Sequence, residues 1–358
     1  MRREAKERPR ELLEGIRELV DGPVRLMEVC GTHTVAIFRS GIKSLLPSGL
    51  ELISGPGCPV CVTPAGEIER AIELCRQKGV TLLTFGDLMR VPGASSSLAQ
   101  ERAKGGDVRV IISPLDGVRI AQQERRRKVV FFAVGFETTS PAIAAALKEA
   151  TKKGMDNFYI LSCQRLIPPA LWALLSSGKA KIDGFLLPGH VSVIIGKRPY
   201  LFIAQEFSLP GVITGFEPLD ILEGIYMLLL QRKEGRREIE IQYKRAVREE
   251  GNERALEVME EVFVPVDARW RGLGEIPLSG LALREEFSSR DAASAFPIPY
   301  RELDDPPGCL CGEVLQGVKI PPECPHFGRG CTPEGPIGPC MVSSEGSCAA
   351  YYRYGGRG

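Results

Sequence analysis

Residues 129–152 read VVFFAVGFETTSPAIAAALKEATK, and this stretch decides the fold class. The unbroken apolar run 129–134 suits a strand covered on both faces, because a strand with one wet face would alternate. Gly135 opens a polar turn, Pro141 suits the first turn of a helix, and the Ala-rich segment that follows has helical character to Lys152. The same strand–turn–helix unit recurs on either side. Strands are expected at 25–29, 51–54, 81–84, 108–112, 158–161, 184–187 and 212–214, and helices at 64–77, 97–104, 117–125, 168–175 and 218–230. Such alternation implies α/β architecture with parallel sheets flanked by helices.

The charged turn at 124–128 reads as a seam, which gives two lobes, 21–126 and 127–230, behind an N-terminal helix at 1–20. From 231 the chain becomes charged and amphipathic, with a β segment at 238–243 and a helix at 244–262. It then passes through proline-rich loops into a cysteine-rich tail, so 231–358 is expected to be a third, C-terminal region.

The chain has 358 residues, 44% of them hydrophobic, enough for a full core. Its net charge of +1 gives no electrostatic case for nucleic acid, and the basic run Arg125–Lys128 reads as a solvated helix end. No apolar run approaches the ~18–20 residues of a membrane span, and the N-terminus lacks the apolar region of a secretory signal. A cytoplasmic protein without a membrane role is expected. In that compartment the eleven cysteines point to metal, redox or catalytic chemistry rather than structural disulfides.

Functional groups in parallel α/β sheets gather at the C-terminal ends of strands. Five polar motifs stand there: CGTHT (30–34), GPGCPVC (55–61), GFETT (135–139), PGHVS (188–192) and TGFEP (214–218). Together they predict one shared cleft. Cys58 and Cys61 form a C-x-x-C at a helix start, where the pair can serve as a redox dithiol, half of a metal site, or two inert thiols. Cys30 and His33 suit a metal-ligand pair or a Cys–His nucleophile, with Thr32 and Thr34 available to cap the helix. Glu137 of GFETT and His190 of PGHVS complete the candidate catalytic set. The GFETTSP turn suits an anion site or a plain helix cap. Cys75 and Cys163 read as core residues.

Six cysteines, Cys309, Cys311, Cys324, Cys331, Cys340 and Cys348, lie within forty residues of Gly- and Pro-rich tail. So little apolar content requires a metal or cross-links to order it. The gaps between them are one, twelve, six, eight and seven residues, which suits an iron–sulfur cluster better than the paired short spacings of zinc sites. Spacing does not choose which four ligate.

CGTHT, GPGCPVCVTP, GFETTSP, PGHVS and the tail CGEVLQG…FGRGCTPEGPIGPCMVSSEGSCAAYYRY together resemble the HypD family of hydrogenase maturation factors, in the family's order from residue 30 to 354. The resemblance implies a scaffold and redox participant that works with a small HypC-like chaperone in assembling the Fe(CN)2CO unit of [NiFe] hydrogenases. It implies HypE, with HypF, as cyanide donor and the hydrogenase large-subunit precursor as recipient. By position it makes Cys30 the iron ligand with His33 close by, and Cys58 and Cys61 a thioredoxin-like pair. Cys309, Cys324, Cys331 and Cys348 become ligands of a [4Fe–4S] cluster. The competing readings are a stand-alone thiol–disulfide oxidoreductase and a zinc-stabilised binding module.

Overall fold

A computed structural model describes residues 4–355; residues 1–3 and 356–358, the outermost parts of the expected N-terminal helix and C-terminal region, lie outside the described residues. All eight expected strands form, as β1 (Val24–Glu28), β2 (Leu50–Ser54), β3 (Val80–Thr84), β4 (Val108–Val110), β5 (Lys128–Gly135), β6 (Phe158–Gln164), β7 (Gly184–Pro188) and β8 (Gly211–Thr214). Three more follow: β9 (Ile239–Ile241), β10 (Phe263–Trp270) and β11 (Gly274–Leu283). Two wholly parallel sheets result, one of order β2-β1-β7-β8-β9 and one of order β4-β3-β5-β6. Every residue of β3, β7 and β8 is buried, as is all of β5 after Lys128, which accounts for their unbroken apolar runs.

The lobes do not divide at 126. β3, from before that point, pairs with β5, from after it, at Val80–Lys128 through Leu83–Phe131. The chain builds β1 and β2, leaves to lay down the whole four-stranded sheet, and returns for β7, β8 and β9. The basic turn does mark a surface, with Arg125 and Arg126 exposed, but it is not a linker. Arg127 donates to Thr81 Oγ1 (2.6 Å) and the Val80 carbonyl (2.7 Å) and pairs with Asp107 (2.9 Å), binding the turn to the edge of its own sheet.

Nor is 231–358 a separate unit. β9 is the edge strand of the five-stranded sheet, pairing with β8. The helix Glu253–Val262 packs on the helix Ser140–Lys152, and the antiparallel β10–β11 hairpin packs on β6 and the helix Ile167–Ser177. The N-terminal helix Glu4–Leu19 buries Leu12 and Ile16 against the helix Pro218–Lys233, where truncating either to Ala would cost about 2–5 kcal/mol. Among the described residues no helix is long and apolar enough to cross a membrane.

Candidate functional site

Four of the five strand-end motifs lie along one edge of the five-stranded sheet, after β2, β1, β7 and β8. GFETT follows β5 of the other sheet, so four of the five motifs share one sheet edge and the fifth does not.

Cys30 leaves β1 and is the N-cap of the helix Gly31–Arg39, with extended backbone (φ −157°). The turn after β2 is pressed against it. The Gly31 amide donates to the Gly57 carbonyl (3.1 Å), and a Cβ on Gly57 would lie 2.3 Å from the Cys30 nitrogen. Glycine is required at 57 by this backbone-on-backbone approach. Cys58 caps the short helix Pro59–Val62, and its Sγ is joined in a disulfide to Cys61, with a Cα–Cα distance of 5.2 Å. The disulfide is buried, Cys58 being 4% exposed and Cys61 0%.

The tail closes the third side. Thr32 Oγ1 donates to Glu345 (2.8 Å), and a Cβ on Gly31 would lie 2.4 Å from the Glu345 carbonyl oxygen. Ser343 lies 3.4 Å from Cys58 Sγ and donates to Asp87 (3.1 Å), which also accepts from the Ser344 amide and hydroxyl. Three sequence-distant segments, 30–34, 55–61 and 343–345, thus meet around one buried thiol.

Burial shifts Cys30, Glu28, Glu345 and His33 each toward its uncharged form. Burial, reinforced by Glu345, pushes the Cys30 thiol up to about 12, against the opposing pull of the His33 and Thr32 amides. Burial raises Glu28 to about 8, although it accepts from Thr34 Oγ1 and from the Cys30 amide (3.2 Å). It also raises Glu345. Burial lowers His33 to about 4, so the imidazole is neutral. Its Nε2 lies 2.9 Å from the Gly215 carbonyl and 3.1 Å from that of Thr214, and two acceptors fix the proton on that nitrogen. Nδ1 then carries a lone pair, and it is buried with no hydrogen-bond partner. His33 stacks on Phe216 (4.8 Å), whose ring also stacks with the exposed His190 (3.8 Å), so His190 reaches the site only through Phe216.

Glu137 faces elsewhere. Its Oε1 accepts from the Ile167 amide (2.9 Å) at the start of the helix Ile167–Ser177. The hydroxyls of Thr139 and Ser140 bond the Phe136 carbonyl and Gln164, so they are engaged within the turn, and the helix Ser140–Lys152 starts without a side-chain cap. Cys75 and Cys163 are buried core residues. Glu28 was not among the residues singled out from the sequence. Its signal was a carboxylate inside an apolar parallel strand, VRLME, two residues before the cysteine.

The six tail cysteines converge on one small, almost wholly apolar cavity, with His326 and Phe327 also in its wall. They are not equivalent. The Cys311 and Cys340 sulfurs lie 2.9 Å apart, buried against each other. Cys309, Cys324 and Cys348 are half-buried, and Cys331 is buried. Among the described residues no group of three or more His, Cys, Asp or Glu side chains is arranged to hold a single metal ion. Helix Pro339–Val342, which carries Cys340, packs on helix Pro59–Val62, which carries Cys61, so the cavity and the disulfide are adjacent.

A family model described as "HypD: Hydrogenase formation hypA family" matches residues 7–355. The chain belongs to the HypD family. It is 49% identical over 341 residues to the hydrogenase maturation factor HypD2 of Bradyrhizobium diazoefficiens, spanning 93% of this chain and 90% of that one. It is 46% identical over 360 residues to the hydrogenase maturation factor HypD of Escherichia coli, with 98% and 96% covered, and 45% identical over 350 residues to that of Rhodobacter capsulatus, with 96% and 93% covered. The HypD relatives are hydrogenase maturation factors, and the sequence reading of the chain as one agrees with them.

Proposed function

We propose that this HypD protein holds iron at Cys30 while the Fe(CN)2CO unit of a [NiFe] hydrogenase is assembled, together with a HypC-like chaperone. HypE, supplied by HypF, would bring the cyanide, and the large-subunit precursor would receive the product, in the cytoplasm. The observation that carries this reading is the junction of three segments around the buried Cys30 thiol, with His33, whose Nδ1 is unpartnered, three residues on in the same motif. A buried thiol pushed this far up needs a strong positive charge to lose its proton. A divalent cation supplies it: Fe²⁺ displaces the Cys30 proton, and the thiolate, aided by the Thr32 and His33 amides, becomes a strong ligand for iron that carries cyanide and carbon monoxide. Glu28 fixes the Cys30 amide, and the Thr214 and Gly215 carbonyls fix the His33 ring so that Nδ1 presents its lone pair.

The neighbouring disulfide gives the site a redox partner. On taking up two electrons and two protons, the Cys58–Cys61 bond opens to two thiols. Burial of both sulfurs suits a partner inside the protein and argues against reduction of generic disulfides, the competing oxidoreductase reading.

The chemistry of the tail cavity fits a [4Fe–4S] cluster: all six cysteines line it, Cys311 and Cys340 lie against each other, and the family resemblance assigns the ligands to Cys309, Cys324, Cys331 and Cys348. When bound, the cluster would supply one-electron chemistry and the ordering that the tail's sparse apolar content does not.

The test is infrared spectroscopy of anaerobic protein co-expressed with HypC and HypE, wild type against Cys30→Ala. Bound cyanide and carbonyl bands in the wild type that vanish in the variant are the expected result. Bands that persist unchanged without Cys30 would sink the assignment.

A further inference from the structure

Away from the cysteine-rich tail, a second concave site opens between β6, the helix Ala65–Cys75 and the β10–β11 hairpin. Its volume is about 350 Å³, the size of a small-ligand pocket, and its wall is part apolar and part charged. Arg165 stands immediately after β6, at the C-terminal edge of the four-stranded sheet, and lines this cavity. Parallel α/β sheets hold their ligands at that edge. Arg165 is 5% exposed, yet among the described residues no carboxylate lies within ion-pairing distance of it. Its Nε donates to the Arg269 carbonyl (3.1 Å) and its Nη1 to the Gln164 carbonyl (3.2 Å). Nη2 has no partner in the protein and is not sealed from solvent. A guanidinium cannot shed its proton, so this one is a buried positive charge without a counter-ion. The other two arginines of the wall are compensated: Arg70 pairs with Glu67 (3.7 Å), and Arg269 with Glu302 and Glu275.

We propose that this cavity binds a small monocarboxylic acid, whose carboxylate accepts from Arg165 Nη2 and whose apolar body lies against Leu161, Val266 and Ala293. An anion supplies the counter-charge that Arg165 lacks, and a carboxylate is a strong acceptor for a guanidinium N–H. A single negative charge is selected because Glu67, Asp267, Glu275 and Asp291 also line the cavity and repel a dianion such as phosphate. The Tyr300 hydroxyl, which has no hydrogen-bond partner, stands in the same wall as a second donor. The proposal does not depend on iron binding at Cys30.

Full-length protein would be titrated by calorimetry at pH 7 with 3-methylbutanoate and phenylacetate, with their neutral amides, and with inorganic phosphate. At least one acid is expected to bind saturably at one site. Its amide should bind tenfold or more weakly, the worth of about one charge-assisted hydrogen bond, and phosphate should bind more weakly than the acid. Arg165→Met should lose the preference for acid over amide. Should this variant fail to fold, Ala293→Glu, a half-buried substitution that places a carboxylate in the wall, should abolish binding of the acid while Cys30-dependent infrared bands remain. Absence of binding by both acids, equal binding of acid and amide, phosphate binding as tight as the acid, or undiminished binding to Ala293→Glu would overturn the proposal.

Discussion

Replacing Gly57 by Ala tests whether the site depends on backbone contact between the turns after β1 and β2. The added Cβ would lie 2.3 Å from the Cys30 nitrogen, 2.4 Å from the Val29 carbonyl carbon and 2.6 Å from the Cys30 Cα. All three are main-chain atoms, so no side chain can swing aside. Relief requires the two turns to separate by roughly 1 Å, the difference between these distances and ordinary van der Waals contact. Overpacking of this kind costs about 1–3 kcal/mol, which lowers the melting temperature of a chain this long by roughly 1–4 °C. Function should suffer far more, because a displacement of about 1 Å between cooperating groups costs on the order of 100-fold in rate. Gly22→Ala is the control, since a Cβ there meets nothing within 4 Å. Thermal melts by circular dichroism, paired with hydrogenase activity in cells dependent on each variant, give the comparison. The expected pattern is a folded Gly57→Ala protein with a small melting shift and nearly complete loss of maturation, beside an unaffected Gly22→Ala. A Gly57→Ala protein that supports maturation at the wild-type level would refute the argument that the two turns act as one unit.

Glu28→Gln should stabilise the iron-free protein above neutral pH while impairing maturation. Burial raises Glu28 from the usual 4.5 to about 8, so its contribution is complete below pH 4.5 and is lost as pH rises toward 8, at about 1.4 kcal/mol per pH unit. The variant should therefore gain on the order of 4 kcal/mol over wild type at pH 7.5 in urea titrations, and parallel pH profiles for the two proteins would contradict the burial argument. Asp87→Ala removes the acceptor of three hydrogen bonds from Ser343 and Ser344 and should raise hydrogen exchange across 339–354 while β5 stays protected, a selectivity that mass spectrometry can check. Anaerobically purified protein should be brown with absorbance near ~400 nm, as zinc, being colourless, would not be. Cys348→Ser should lose that colour and Cys311→Ser should keep it; the reverse would reassign the ligands.

What the sequence disclosed follows from locality. The central strands β3, β5, β7 and β8 are buried on both faces and so announce themselves as apolar runs, and each strand-end motif is contiguous with its strand. Pairing is not local. Nothing in residues 124–128 indicates that Arg127 is tied to Thr81 or that β5 lies beside β3, so a charged turn passed for a boundary. The β10–β11 hairpin was missed because its strands pack one face only, carry Pro265 and Pro277, and bulge between Val266 and Ala268. The cysteine spacing could not reveal that Cys311 and Cys340 meet, because twenty-eight residues of irregular chain separate them.

The strand order explains why Cys30, rather than any other cysteine, sits at the centre. In the sequence β2-β1-β7-β8-β9, the chain leaves β1 toward β2 on one side, while β7, on the other side, continues away through β8 and β9. β1 and β7 therefore flank the point where the connections diverge, and the turns at their C-terminal ends part to leave a crevice. The turn after β1 carries Cys30 and His33, the turn after β7 carries His190, and the next strand end along, after β8, supplies the carbonyls that orient His33. Doubly wound sheets ordinarily bind a ligand in that crevice. Here the crevice is narrowed from the β2 side by Gly57 and roofed by the tail at Glu345, so what it encloses is a buried thiol and a buried imidazole, not a bed for a nucleotide. The fold's usual binding point is closed down to these few groups, and the cysteine-rich tail is the element that closes it.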